Sequence, residues 1–289
     1  MKSVLELREA KRRGQKIAML TCYDSTSAAL VAQAGVDLIL VGDSVAMTMH
    51  GHDDTLAADV DLMALHIAAV DRGLRQLSSV SPSSTQTSRW TRPMIVGDLP
   101  FLAHRMGREA LMNAAARLMR AGAQILKVEG IDGSEDDLRY LIQSGVPVMG
   151  HIGLTPQSVH ALGGWRVQGR DARAAEALLR QARALHECGV SALVLECVPA
   201  PLASQISQEL EIPTIGIGAG AGCDGQVLVF QDVLGLQSHF KPKFVRRYLQ
   251  GAEILTDALR RYVDDVRSQA FPAPDESFDL PARSPEAQA

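Results

Sequence analysis

The stretch Asp37-Leu-Ile-Leu-Val-Gly-Asp-Ser44 decides the fold. Its apolar run, Leu38 to Val41, is what a parallel strand covered on both faces requires. Gly42, Asp43 and Ser44 follow at once, so the strand ends in an acid. Open and closed α/β folds place their chemistry at the carboxyl ends of such strands. Working outward, the pattern recurs. Pro93-Met-Ile-Val-Gly-Asp-Leu-Pro100 ends at Asp98, and Gln124-Ile-Leu-Lys-Val-Glu-Gly130 ends at Lys127 and Glu129. Ala192-Leu-Val-Leu-Glu-Cys197 ends at Glu196. A single acid in that place is ordinarily a loop residue or helix cap. Four of them point to a site.

Further strand-like runs lie at 17–24, 147–153, 213–220 and 227–230, the first ending in Asp24 and the second passing through His151. Helical spacing is found over 4–13, 25–34, 60–74, 107–120, 134–143, 172–187, 201–210 and 243–267. Eight strands alternating with helices predict a single-domain (β/α)8 TIM barrel over 1–268. The competitor, a doubly wound sheet, has one switch-point crevice and suits polar groups after nearly every strand less well. Residues 78–92 are rich in Ser and Thr and predict a flexible insertion. Residues 269–289, rich in Pro, Ala, Ser and acids, predict a disordered tail.

Composition narrows the function. The chain is 46% hydrophobic and 21% charged, with a net charge of -4 and 4% aromatic residues. No basic field or stacking surface invites nucleic acid. Cys22, Cys188, Cys197 and Cys223 form no C-x-x-C pair and no disulfide framework, which fits a reducing cytoplasm. No apolar run is long enough to span a bilayer, and the amino terminus lacks a signal-peptide core.

Neighbouring strands lie about 4.8 Å apart, so Asp43, Asp98 and Glu129 can converge on one point. Three carboxylates without Cys or His suit Mg²⁺ rather than zinc. A 2-oxo acid could take two of the metal's open positions, and Lewis-acid polarisation would favour its enolate. Lys127 and Glu129 are two apart and share a face, which suits a lysine on the substrate carboxylate beside a metal ligand; a plain ion pair is the bland reading. Glu196, between Leu195 and Cys197, has the apolar neighbours that strengthen a carboxylate as general base. His151 could polarise an oxygen or move a proton, although a lone histidine there is as easily a core residue. His50 and His52 are too isolated to form a metal pair. Gly220-Ala-Gly-Cys-Asp-Gly225 matches G-x-G-x-x-G, but a strand follows it where a phosphate-binding helix is needed. A tight corner or close backbone approach explains those glycines better.

Several runs resemble the ketopantoate hydroxymethyltransferase family. They are Gly42-Asp-Ser44 with Gly51-His-Asp53, Asp98-Leu-Pro-Phe101, Lys127-Val-Glu-Gly130 and Gly150-His-Ile-Gly-Leu-Thr-Pro-Gln-Ser158. Gly163-Gly-Trp-Arg-Val-Gln-Gly169, Leu195-Glu-Cys-Val-Pro199 and Ile215-Gly-Ile-Gly-Ala-Gly220 complete the set, in order over roughly 1–255. The resemblance implies a barrel of the phosphoenolpyruvate/pyruvate superfamily that makes ketopantoate on the pantothenate and coenzyme A pathway. It implies Mg²⁺ at Asp43, Asp98 and Glu129, and contacts from Asp43, Ser44, Asp98 and Lys127 to the 2-oxo acid. It casts Glu196 as proton acceptor and 5,10-methylenetetrahydrofolate as one-carbon donor. It also implies a cytoplasmic homo-oligomer, commonly a homodecamer. The 78–92 stretch is longer than the family pattern. The competing enzyme class, a Mg²⁺-dependent C–C lyase, usually carries a Lys-Cys-Gly-type loop that is not found here. A silent acid-binding barrel would not need Glu196.

Overall fold

The computed structural model describes residues 3–79, 91–237 and 242–278. The expected insertion at 78–92 falls largely on 80–90, which lie outside the described residues, as does the end of the tail, 279–289.

The chain runs α1 (Val4–Arg12), β1 (Ile17–Thr21), α2 (Ser25–Gln33), β2 (Leu38–Val41), α3 (Val45–Thr48), α4 (Val60–Ser79) and β3 (Met94–Asp98). Next come α5 (Arg108–Ala121), β4 (Ile125–Glu129), α6 (Glu135–Gln143), β5 (Val148–Gly153) and α7 (Ala172–Cys188). The remainder is β6 (Ala192–Glu196), α8 (Ala200–Glu209), β7 (Thr214–Ile217), β8 (Gly225–Leu228), α9 (Phe230–Val233) and α10 (Gly251–Arg267). The strands close in sequence order, β8 pairing back onto β1, and every pairing is parallel. This is the TIM barrel that the alternation predicts.

Strand parity separates two apolar layers. Ile17, Met19, Leu38, Leu40, Met94, Val96, Ile125, Met149, Ala192, Val194, Ile215 and Val227 fill the barrel interior, with Leu7 and Ala10 of α1 packed on them. Ile39, Val41, Ile95, Leu126, Val128, Leu193 and Leu195, one residue out of phase, face the helices. The interior parity continues toward the carboxyl ends, where it stops being apolar. After Met94 and Val96 comes Asp98. After Ile125 come Lys127 and Glu129. After Met149 comes His151, and after Ala192 and Val194 comes Glu196.

Three local readings need correction. Asp24 does not end β1; it caps α2, accepting from the N–H groups of Thr26 at 2.8 Å and Ser27 at 2.9 Å. The last strand begins at Gly225 rather than 227, because Gly225 lies beside Ile17, where a Cβ would stand 2.4 Å from the Ile17 carbonyl oxygen. The helix expected from 243 begins at Gly251. The N–H groups of Tyr248 and Gly251 bond instead to the carbonyls of Val233 and Leu234, each at 2.8 Å, so they are not free for a helical turn.

Cα packing distinguishes two compact units. One is the barrel, 1–230 with 242–245. The other comprises 231–241 and 246–289 and contains α10, whose Leu255, Leu259, Tyr262 and Val266 are all exposed.

Candidate active site

The interior polar residues form a ladder across adjacent strands. Asp98 on β3 is in register with Lys127 on β4, and Glu129 is in register with His151 on β5. In-register neighbours on parallel strands point to the same side, so these four side chains share the barrel mouth. Lys127 Nζ lies 3.1 Å from Asp98 Oδ2 and 3.3 Å from Glu129 Oε1. His151 Nδ1 lies 3.2 Å from Glu129 Oε1, and its Nε2 lies 3.4 Å from Glu196 Oε2. That last approach is an ion-pair distance without hydrogen-bond alignment. Asp43, just beyond β2, donates its backbone N–H to Asp98 Oδ2 at 3.0 Å. Asp43, Asp98, Lys127, Glu129 and His151 are each no more than 5% exposed.

Ser44 stands at the start of α3, and its hydroxyl is 2.8 Å from the hydroxyl of fully buried Tyr23. Glu196 is one rung above His151 and faces that imidazole rather than the purely apolar surroundings expected of it. Two backbone features hold it there. Gly153, with φ of 95°, lies where a Cβ would come within 2.2 Å of the Glu196 carbonyl oxygen. Cys197, with φ of 48°, turns the chain immediately after the acid. His50 does not meet His52; its Nε2 lies 2.9 Å from His66 Nε2.

Gln157 is the residue that sequence reasoning passed over. It lies in a short turn after β5 and is 5% exposed. Its side-chain amide donates to Asp43 Oδ2 at 2.8 Å and to the Leu99 carbonyl at 3.0 Å. Its backbone N–H donates to Glu129 Oε2 at 3.0 Å. One residue thus ties the ends of β2, β3 and β4 together. The one available signal was its place in the Gly150–Ser158 run.

The electrostatics follow from burial and from where Lys127 sits. Burial, with Glu129 and Asp98 nearby, raises the proton affinity of Asp43 well above that of an ordinary aspartate. Burial also raises Asp98, although Lys127 opposes it. Burial works against ionisation of Glu129 too, but Lys127 and His151 outweigh it and hold that carboxyl down at about 2. Burial disfavours the charged forms of Lys127 and His151, yet the acids prevail. Lys127 is raised, and His151 is pushed up to about 9 by Glu129 and Glu196.

The donor set fits a hard divalent cation. Asp43, Asp98 and Glu129 offer oxygens only, and Asp98 Oδ1 is buried without a hydrogen-bond partner. Among the described residues no three candidate ligands are already drawn together as a set. Lys127 supplies the positive charge on which Asp98 and Glu129 now close.

A closed parallel barrel with buried acids and a lysine at its carboxyl mouth defines the class: a TIM barrel with a polar site at the carboxyl ends of its strands. Solved structures agree at the level of fold. The chain is similar to 2,3-dimethylmalate lyase, with a TM-score of 0.56 at 15% identity over 94% of this chain and 92% of that one. It is likewise similar to phosphonopyruvate hydrolase in complex with oxalate and Mg²⁺, with a TM-score of 0.57 at 11% identity over 96% and 93%. The family model for ketopantoate hydroxymethyltransferase matches residues 2–274. The 3-methyl-2-oxobutanoate hydroxymethyltransferase of Bdellovibrio bacteriovorus is 48% identical over 96% of this chain and 100% of its own length. That of Carboxydothermus hydrogenoformans is 45% identical over 96% and 95%. The chain belongs to the ketopantoate hydroxymethyltransferase family. Its activity is that of the family, 3-methyl-2-oxobutanoate hydroxymethyltransferase, which forms ketopantoate in pantothenate biosynthesis. Family membership implies methylenetetrahydrofolate as co-substrate. No helix of the described residues is long and apolar enough to cross a membrane.

Proposed function

We propose that the ladder of Asp43, Asp98, Lys127, Glu129, His151 and Glu196 activates C3 of 3-methyl-2-oxobutanoate for attack on 5,10-methylenetetrahydrofolate. Asp43, Asp98 and Glu129 would hold Mg²⁺, which when bound supplies Lewis-acid polarisation of the 2-oxo group. The partnerless Asp98 Oδ1 carries that assignment. Asp43, Ser44, Asp98 and Lys127 bind the 2-oxo acid, the ammonium of Lys127 facing its carboxylate. Tyr23 orients the Ser44 hydroxyl.

Glu196 accepts the C3 proton. Its place beside His151, at the open end of the ladder, supports that role: its side chain is 14% exposed where that of Glu129 is 2%. A new C–C bond then forms between C3 and the folate methylene carbon, both bonds from that carbon to the folate nitrogens N5 and N10 break, and water supplies the hydroxyl, the two nitrogens taking up the C3 proton and one proton of the water. The products are ketopantoate and tetrahydrofolate. General base catalysis of this kind is worth about 10²–10⁴ in rate.

The test is ketopantoate formation with Mg²⁺ and with EDTA, run beside Glu196→Gln and Asp43→Asn. Metal-dependent product that falls in both variants is expected. Folded, metal-loaded protein that makes no product would overturn the reading. The exposed Leu255, Leu259, Tyr262 and Val266, spaced as one face of α10, support self-association, with a homodecamer as the proposed state. Light scattering after size exclusion measures it. The four free cysteines agree with a cytoplasmic setting.

A further inference from the structure

The loops after β3, β4 and β5 enclose a cavity of about 450 Å³ whose lining includes Glu129. That volume is in the range of small-molecule sites. The cavity therefore adjoins the carboxylate ladder, yet most of its wall lies outside it.

Its wall contains an unexplained buried group. His104 is 4% exposed, and neither of its ring nitrogens has a hydrogen-bond partner. Burial, with Arg105 beside it, holds its pKa at about 4, so the ring is neutral at pH 7 and offers one donor and one acceptor. Native folds rarely leave a buried polar ring unpaired. Next to it, Phe101 and Leu102 stay 41% and 42% exposed at the cavity rim. Leu102 has φ of 61°, a left-handed conformation that a branched residue holds only at a cost. A polar edge is already ordered as well: Gln181 donates to Asp132 Oδ2 at 2.6 Å, and Arg105 Nη1 donates to the Asp132 carbonyl at 2.8 Å.

We propose that this cavity is the subsite for the reduced folate, with the pteridine faces against Phe101 and Leu102 and its polar edge on His104 and Asp132. The chemistry matches in three respects. A pteridine has flat apolar faces, and its edge alternates donors with acceptors, as a neutral imidazole and a carboxylate demand. The anionic tail of a folate suits the exposed guanidinium of Arg105. The methylene carbon must also come within bonding reach of C3 of the 2-oxo acid, and a cavity that shares Glu129 with the ladder provides that proximity. The inference rests on the reading above that the ladder holds the 2-oxo acid.

Two variants and two independent readouts test it. His104→Leu removes the unpaired nitrogens, and Ala177→Trp fills the cavity from α7. The first readout is equilibrium binding of tetrahydrofolate. The second is exchange of the C3 hydrogen of 3-methyl-2-oxobutanoate in D2O with Mg²⁺ and without folate, followed by NMR. Tetrahydrofolate affinity is expected to fall tenfold or more in both variants, with exchange staying within about threefold of the parent. His104→Leu is expected to melt no lower than the parent, since it deletes unsatisfied polar atoms. Parental tetrahydrofolate affinity in folded His104→Leu would overturn the subsite, whether or not Ala177→Trp folds. So would loss of exchange with folate binding intact, which would place His104 in the 2-oxo acid site. A parent protein that neither exchanges nor turns over would instead refute the ladder reading, and tetrahydrofolate binding would still judge the cavity.

Discussion

Gln157→Leu is the most informative single substitution outside the acids. It keeps the size of the side chain and the backbone N–H bond to Glu129, and removes the amide that reaches Asp43 Oδ2 and the Leu99 carbonyl. A buried carbonyl stripped of its donor costs about 1–3 kcal/mol, and a lost charge-assisted bond to a carboxylate about 1.5–3 kcal/mol. Proton uptake by Asp43, already disposed to bind a proton, offsets part of this. A net loss of roughly 2–4 kcal/mol follows, which for a domain of this size lowers Tm by about 3–8 °C. The same change loosens a proposed metal ligand through its supporting contact, which typically weakens metal affinity about 10–100-fold. The assay is calorimetric titration of Mg²⁺ at pH 7 and pH 9, paired with thermal melts. The affinity defect should shrink at pH 9, because a proton on Asp43 is the competitor. A variant that melts lower but binds Mg²⁺ like the parent would show Gln157 to be a loop anchor only, and the reasoning would fail.

Other consequences can be measured directly. Glu196→Gln should lower turnover about 10²–10⁴-fold and abolish C3 exchange, while binding of the 2-oxo acid by calorimetry stays near parental. Asp43→Asn should raise the Tm of the metal-free protein near neutral pH, since it deletes a buried carboxylate that burial and its neighbours disfavour, yet it should weaken Mg²⁺ binding. Gly153→Ala should lower Tm and turnover together, because its Cβ would stand 2.2 Å from the Glu196 carbonyl oxygen at a φ of 95°. Metal-free stability should fall as pH rises. Asp43 and Asp98 bind protons more tightly when folded, so the folded state is penalised as pH climbs above about 4, the unfolded value. His151, raised to about 9, adds stability that is present below about 6.5 and lost as pH rises through 9. Glu129, held at about 2, has the opposite sign, and its contribution is lost only on acidification below about 4.5. Melts from pH 5 to 9 should therefore decline without Mg²⁺, and the stabilisation by Mg²⁺ should grow with pH. A flat profile in EDTA would contradict this account.

Much of this site was legible because strand parity is a local property. Leu38 to Val41, then Gly42-Asp43, announces both a strand and the end at which its chemistry sits, and the positions of Asp98, Lys127, Glu129 and Glu196 follow by the same reading. The same logic misassigned Asp24, where an acid after an apolar run serves as a helix cap, because one residue type satisfies both patterns. Gln157 was hidden for a different reason. Its contacts are with Asp43, 114 positions away, and with Leu99 and Glu129, and no local spacing encodes a bond that exists only after the barrel closes. Tyr23 was hidden likewise, since its tie to Ser44 runs between the ends of β1 and β2. The helix expected from 243 failed because backbone bonds to 233–235 override an amphipathic pattern.

The ladder is electrostatically lopsided, and strand register explains why. Lys127 sits between Asp98 beside it and Glu129 above it, so its one charge is shared by two acids and makes no ion pair with Asp43. His151 then supports Glu129 from the next strand and leaves Asp98 alone. Glu129 thus becomes the stable anion of the set, while Asp43 and Asp98 are buried without enough positive charge and shift toward their protonated forms. Removing a charge from water costs several kcal/mol unless it is paired, so a fold that keeps two such acids side by side stores that cost as an affinity for a cation. The backbone N–H of Asp43 on Asp98 and the amide of Gln157 on Asp43 hold both acids in place meanwhile. The deficit lies on the β2–β3 side of the ladder and the proposed base, Glu196, on the β6 side. A 2-oxo acid bound between them would have its keto oxygen drawn toward the deficit and its C3 hydrogen presented to Glu196, which is the polarity that the transfer reaction needs.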